Sequence, residues 1–253
     1  MIRELPSAPM RARTVMKDDD RTYLQTPEQW TGFLSALVHE LRTPLASFRI
    51  LADLLAEAPQ SRLSDQERRY AENMRDVVQD IQSLVGDAGE LARLLAGRVA
   101  LRPSEVVLEE LVDQVEEAVR TRAWDGGIAL TDFLDPALPH SFRTDPDRLR
   151  QALVLLLGAA VSHAKGEVFL RLERDDGNLR VVTCSDGAPF AEAALQSLFA
   201  PFHDGVRAAR ARGGRSLALP LANELARALG GTLRAENREG KPAFVLFLPA
   251  AGS

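Results

Sequence analysis

Phe33-Leu34-Ser35-Ala36-Leu37-Val38-His39-Glu40-Leu41-Arg42-Thr43-Pro44-Leu45 is the stretch from which the chain is read. A histidine interrupts an apolar helical pattern and a glutamate follows it at once. A threonine and a proline come four and five residues after the histidine. This order does not serve packing. Histidine is a poor apolar filler, and proline costs a helix interior about 3 kcal/mol. The order serves to hold His39 on a helix surface and present it.

Outward from His39 the helix is easily delimited. Thr26-Pro27-Glu28-Gln29 supplies a cap, a proline suited to the first helical position and a capping-box glutamine. Trp30, Leu34, Leu37, Leu41, Leu45, Phe48, Leu51 and Leu55 then step by three and four and form one stripe. The helix is expected to end near Ala58-Pro59 and to bend at Pro44. Ser64-Asp65-Gln66-Glu67 is a second capping box. It opens a heptad seam of Tyr70, Met74, Val77, Ile81, Leu84, Ala88, Leu91 and Leu95. Two such helices joined by a short polar loop make an antiparallel hairpin. A lone hairpin cannot cover both stripes, so a homodimer with a four-helix bundle is expected.

Gly97 and Pro103 mark a change of pattern. Beyond them the chain predicts helices over 108–122, 145–164 and 216–229. Strands are predicted over 128–134, 140–144, 167–174, 178–184, 232–236 and 243–248. That is a second domain with a mixed sheet and helices on one face. The expected organisation is a flexible arm over 1–25, a helical hairpin over 26–100 and an α/β domain over 101–253.

Composition narrows the function classes. The 253 residues are 45% hydrophobic and 26% charged, as in ordinary globular protein, and the net charge of −5 gives no basic footprint for nucleic acid. Cys184 is the single cysteine, so no intrachain disulfide can form. No run of about 18 apolar residues occurs, and no apolar core follows the N-terminal basic residues. No membrane span is expected, and the cytoplasm is the expected location.

His39-Glu40-Leu41-Arg42-Thr43-Pro44-Leu45 resembles the phosphoacceptor box of two-component sensor histidine kinases. The hairpin is similar to their dimerisation and phosphotransfer domain, and residues 101–253 to their Bergerat-type α/β sandwich, the ATP-binding domain. Asp145-Pro146-Asp147-Arg148-Leu149-Arg150-Gln151 resembles the start of the nucleotide-site helix. Phe199-Ala200-Pro201-Phe202 resembles the phenylalanine box before the lid. Leu217-Ala218-Leu219, with Gly230-Gly231 later, resembles the helix after the lid. The resemblance implies His39 as phosphoacceptor, Glu40 as its acid/base partner and Thr43 in dephosphorylation of a partner. A neutral imidazole can attack phosphorus, and a neighbouring carboxylate can take its proton.

The nucleotide motifs of the family are altered. Where the family carries two asparagines on the long helix, this chain has Leu155 and Ala159, neither with an oxygen for Mg²⁺. Ser185, Gly187 and Pro189 stand at the positions of Asp-x-Gly-x-Gly, and Asp186 is one residue off register. In the lid motif Gly214 remains, while Ser216 and Ala218 replace glycines and hinder close approach of a phosphate. The sequence therefore leads to an expectation of no cofactor, with ATP and Mg²⁺ binding lost. It predicts phosphate exchange between His39 and response-regulator receiver aspartates, as in histidine phosphotransferases. A partner histidine kinase is a further possible source of the phosphate. Two alternatives stand beside this: an ATP-dependent kinase with an atypical pocket, and a non-catalytic pseudokinase scaffold.

The remaining singled-out residues read as structural. His140, His163 and His203 lack metal-ligand spacing, and no metal site is expected. Arg207, Arg210, Arg212 and Arg215 read as part of a soluble loop, Cys184 as buried and inert, and Trp30 and Trp124 as packing residues.

Overall fold

The computed structural model describes residues 38, 41–42, 45–53, 55, 64–195, 197–199 and 217–250. His39, Glu40, Thr43, the bend at Pro44, Trp30, His203, the four lid arginines, Gly214 and Ser216 lie outside the described residues.

Every described residue from 38 to 55 is helical, and these form α1. Helix α2 (Asp65–Leu95) begins where the sequence places it. The Glu67 amide donates to the Ser64 hydroxyl at 3.3 Å, and the Glu67 carboxylate accepts from the Ser64 amide at 2.8 Å. These bonds from Ser64 hold the Glu67 carboxyl below its usual range.

Val38, Leu45 and Ala52 on α1 are buried, as are Ala71, Val78, Leu91 and Ala92 on α2. The stripes read from the sequence mostly point elsewhere. Phe48, Leu51, Tyr70 and Val77 are 56%, 57%, 60% and 56% exposed, and Leu41, Leu55, Met74 and Ile81 are also exposed. Of the described stripe residues only Leu45 and Leu91 are buried, and the other buried positions are valines, alanines and Gly89. At Gly89 an added Cβ would stand 2.8 Å from Val38 Cγ1. Only glycine lets α2 come this close to the residue that precedes His39.

The second half of the chain runs β1 (Ser104–Val107), α3 (Leu108–Asp125), β2 (Ala129–Leu134), β3 (Ser141–Thr144), α4 (Pro146–His163), β4 (Glu167–Asp175) and β5 (Asn178–Ser185). A short α5 (Glu192–Leu195), α6 (Ala218–Ala228), β6 (Thr232–Arg238) and β7 (Lys241–Leu248) follow. The sheet order is β2-β4-β5-β7-β6, with β2 and β4 parallel and every other pair antiparallel. β1 and β3 form a separate two-stranded ribbon. The hairpin turns at Asp176-Gly177 and Glu239-Gly240 have positive φ at both residues, the pairing that matches strand twist.

Period-two alternation fixes the inner face. Val168, Leu170 and Leu172 of β4, Leu179 and Val181 of β5 and Phe244, Leu246 and Leu248 of β7 are buried under α3, α4 and α6. Helix α4 lies between α3 and α6 and against the sheet, which explains its apolar run Leu153-Val154-Leu155-Leu156-Leu157. Fully burying one such leucine stabilises the fold by about 2 kcal/mol. On the opposite face no helix among the described residues covers the sheet, yet Val182, Ala243 and Val245 are buried. Long charged side chains roof that face. Lys241 lies over Phe169 at 5.6 Å, Arg171 over Phe133 at 5.1 Å, and Arg180 Nε donates to Glu173 at 2.8 Å.

Two expectations are corrected, and two short elements were not anticipated. Trp124 does not pack: it is 84% exposed at the end of α3, where the chain turns away through Gly126-Gly127. β1 and α5 are too short for periodicity to reveal. Cys184 is half-buried on the outer sheet face, and burial pushes its thiol up. Among the described residues no helix is long and apolar enough to cross a membrane.

Candidate functional site

The site is organised by α4. Asp145 caps it: one carboxylate oxygen accepts from the Arg148 amide at 3.0 Å and the other from the Arg102 amide at 2.7 Å. Pro146 occupies the first turn. Arg148 and Gln151 project one turn apart toward α2, where both donate to the carboxylate of Glu90. Arg148 Nη1 also donates to Gln151 Oε1 at 3.1 Å. The Glu90 and Arg148 side chains are only 14% and 28% exposed, so the pair is well shielded from water. It fastens the start of α4 to the hairpin one residue beyond the Gly89 and Val38 contact. Leu91 joins the core of the α/β domain, and α2 packs on α6.

Farther along α4, Leu155 is buried and Ala159 is half-buried. Neither carries an oxygen, so neither side chain holds a metal ion. β5 leads into the loop with a buried Ser185. Asp186 then turns away toward the connection between α4 and β4. Its carboxylate accepts from the Lys165 amide at 2.7 Å and the Gly166 amide at 3.1 Å, and its own amide donates to Glu167 O at 3.1 Å. These backbone bonds, the Lys165 amide first, hold the Asp186 carboxyl below its usual range. Asp186 is therefore a turn-closing residue.

Gly187 meets the end of α4. A Cβ there would stand 2.2 Å from the His163 carbonyl oxygen, a contact no side chain tolerates. Ala188 O lies 2.7 Å from His163 Nε2. Pro189 follows, and then Phe190, whose amide donates to Asn237 Oδ1 at 2.8 Å while its carbonyl accepts from Asn237 Nδ2 at 2.9 Å. Phe199, of the phenylalanine box, packs on the core. Ala218 is buried at the start of α6, which Leu217 leaves without a side-chain cap. The helix and the loop after β5 are thus in direct contact through His163 and Gly187, and α4 packs on α6.

Open surface depressions of about 540 and 570 Å³ lie elsewhere, beside α3 and beside the turns at Asp135 and Asp176. Among the described residues no cluster of three or more histidine, cysteine or carboxylate side chains is arranged to hold a metal.

Comparison with known proteins assigns these parts. Residues 29–97 match the His Kinase A (phospho-acceptor) domain, and residues 144–252 match the histidine kinase-, DNA gyrase B- and HSP90-like ATPase domain. The chain belongs to the two-component sensor histidine kinases. It is 32% identical over 227 residues to the circadian input-output histidine kinase CikA of Synechococcus elongatus. That match covers 86% of this chain and 29% of CikA. The crystal structure of full-length ShkA in complex with AMPPNP superposes with a TM-score of 0.74 at 31% identity, covering 90% of this chain and 47% of that one. ThkA in complex with the response regulator TrrA shares the fold, with a TM-score of 0.59 at 19% identity over 87% of this chain and 61% of that one. This sensor histidine kinase chain thus spans less than a third of CikA and about half of ShkA.

The expected loss of ATP and Mg²⁺ does not stand. The domain that carries Leu155, Ala159, Ser185, Gly187, Pro189, Gly214, Ser216 and Ala218 matches an ATPase family, and the ShkA structure it resembles at 31% identity holds AMPPNP. The physical reason lies in how such pockets bind. Backbone amides and helix termini carry much of the contact to phosphates, so a few exchanged side chains do not report the affinity. The sequence reading also missed two side chains, Glu90 and Asn237, and it read His163 as solvated or structural without a partner. Glu90 adjoins a heptad position and could have been noticed as an acid on an otherwise buried face. Asn237 gave no signal, and nothing in the sequence around His163 pointed to the loop after β5.

Proposed function

We propose that this chain is an ATP-dependent histidine kinase core with an atypical nucleotide pocket. A ring nitrogen of His39 attacks the γ-phosphorus of ATP, the bond to the β–γ bridging oxygen breaks, and ADP leaves. Glu40 takes the proton from the imidazole. The phosphoryl group then passes to an aspartate of a response-regulator receiver domain, and in the separate dephosphorylation step Thr43 positions a water that hydrolyses the receiver's aspartyl phosphate to inorganic phosphate. Leu155 and Ala159 carry no side-chain oxygen and do not fit a metal-ligating role.

The observation that carries this reading is the likeness to ShkA with AMPPNP, which extends over 90% of the chain, together with the phosphoacceptor and ATPase matches in one polypeptide. The link from Glu90 to Arg148 and Gln151 agrees with it, because it ties the nucleotide helix to the hairpin that carries His39. The fold shared with the ThkA and TrrA complex supports a receiver domain as partner. The exposed apolar stripes of α1 and α2 support a homodimer.

Incubation with γ-labelled ATP, and separately with a labelled phospho-receiver, tests the proposal. Label from ATP that then chases onto an unlabelled receiver is the expected result. Label from the receiver alone would instead leave the protein a phosphotransferase, and label from neither would leave it a scaffold.

A further inference from the structure

The loop after β5 is the segment that family members present to the nucleotide, yet here it has lost a glycine to Pro189 and an aspartate to Ser185. It is also held at several points. Asp186 ties its first residue to the turn before β4. Asn237, reaching from β6, bonds both the amide and the carbonyl of Phe190. Between these anchors one side chain reaches the loop's middle. His163 Nε2 lies 2.7 Å from Ala188 O, and its ring stacks on Phe190 with centroids 5.4 Å apart and planes inclined by 23°. Phe190 in turn lies 5.4 Å from the Phe244 ring of the core. Because Ala188 O accepts, Nε2 carries the hydrogen in this arrangement.

We propose that His163 is the positioning residue of the nucleotide loop, fixing residues 187–190 against the end of α4 before any nucleotide arrives. The inference rests on the kinase reading above. It gives a reason for tolerance of Pro189 and Ser185. A loop already fixed by His163, Asp186 and Asn237 needs neither a flexible glycine nor a ligand-bound aspartate to hold its shape. Ordering it in advance removes that entropy from the binding step. His163 touches the loop and not the reacting atoms, so its effect belongs in nucleotide affinity and not in the chemical step.

The test uses the full chain with His163→Ala, His163→Phe and His163→Gln. For His163→Ala the KM for ATP is expected to rise about tenfold, the size of one hydrogen bond and one ring contact, while kcat stays within about twofold. His163→Phe keeps the stack and His163→Gln keeps the donor, so each should recover part of the loss. Amide exchange at residues 187–190 should quicken in His163→Ala without a change in the central strands. A folded His163→Ala with unchanged KM and unchanged loop exchange overturns the proposal, as does an equal fall in kcat. If the wild type takes no label from ATP, the kinase reading fails. The loop exchange and the affinity for AMPPNP then decide the role of His163 by themselves, and unchanged exchange overturns it.

Discussion

His39→Gln is expected to lose all label from ATP, with at least about a thousandfold fall in the rate of phosphoryl incorporation. Glutamine is close to histidine in size and is a good helix former, so the hairpin should keep its packing. Its amide nitrogen has no lone pair free to attack phosphorus, because the pair is delocalised into the carbonyl. The wild-type label should be lost in acid and survive in base, the behaviour of a phosphorus–nitrogen bond. Val38, immediately before His39, is packed against Gly89, so the backbone at this point is set by helix contact and not by the imidazole. The variant should therefore unfold at the same denaturant concentration as the wild type. Persistence of acid-labile label in His39→Gln at the wild-type level would place the acceptor elsewhere.

The double change Val77→Glu with Ile81→Glu is expected to convert a dimer to a monomer. Both side chains lie on the exposed stripe of α2, one turn apart, with Val77 56% and Ile81 41% exposed in the single chain. Phe48, Leu51, Leu55, Tyr70 and Met74 are exposed as well, more large apolar side chains than a solvated helix pair carries. The seam that closes the hairpin uses other residues, among them Ala52, Ala71 and Val78, so the fold of each chain is spared. Burying an unpaired carboxylate costs several kcal/mol, and four of them meet in a dimer of the variant. A rise of at least about a thousandfold in the dimer dissociation constant follows from roughly 4 kcal/mol. Sedimentation equilibrium with helical content followed in parallel reads this outcome. A wild type that sediments as a monomer, or a double variant that remains a dimer, would contradict it.

How much of this could be read beforehand differs by feature. The caps at Ser64 and Asp145 were legible because capping is local chemistry: one side-chain oxygen and one amide a few residues on. The sheet was legible because alternation and the turns at Gly177 and Gly240 act over short range. The inward seam of the hairpin was not legible. Val38 and Ala52 look unremarkable beside Phe48 and Leu51, and which of them faces inward depends on a second chain and on the close approach at Gly89. Trp124 misled because a large aromatic normally packs, and nothing local announces an exposed one. The nucleotide pocket misled in a different way. Oxygen ligands can be counted in a sequence, whereas loop order cannot. The contacts of His163, Asp186 and Asn237 with the loop span 25, about 20 and 47 residues of chain.

The central claim is that the α/β domain binds ATP although Leu155, Ala159, Ser185 and Pro189 occupy positions the family gives to polar or glycine residues. Thermal unfolding of the full chain with and without millimolar Mg·ATP tests it directly. A ligand that binds only the folded state at 100 times its dissociation constant adds about 2.7 kcal/mol of stability. The expected result is a rise in the unfolding temperature that increases with ATP concentration. An unfolding temperature that does not move at any ATP concentration would contradict the claim.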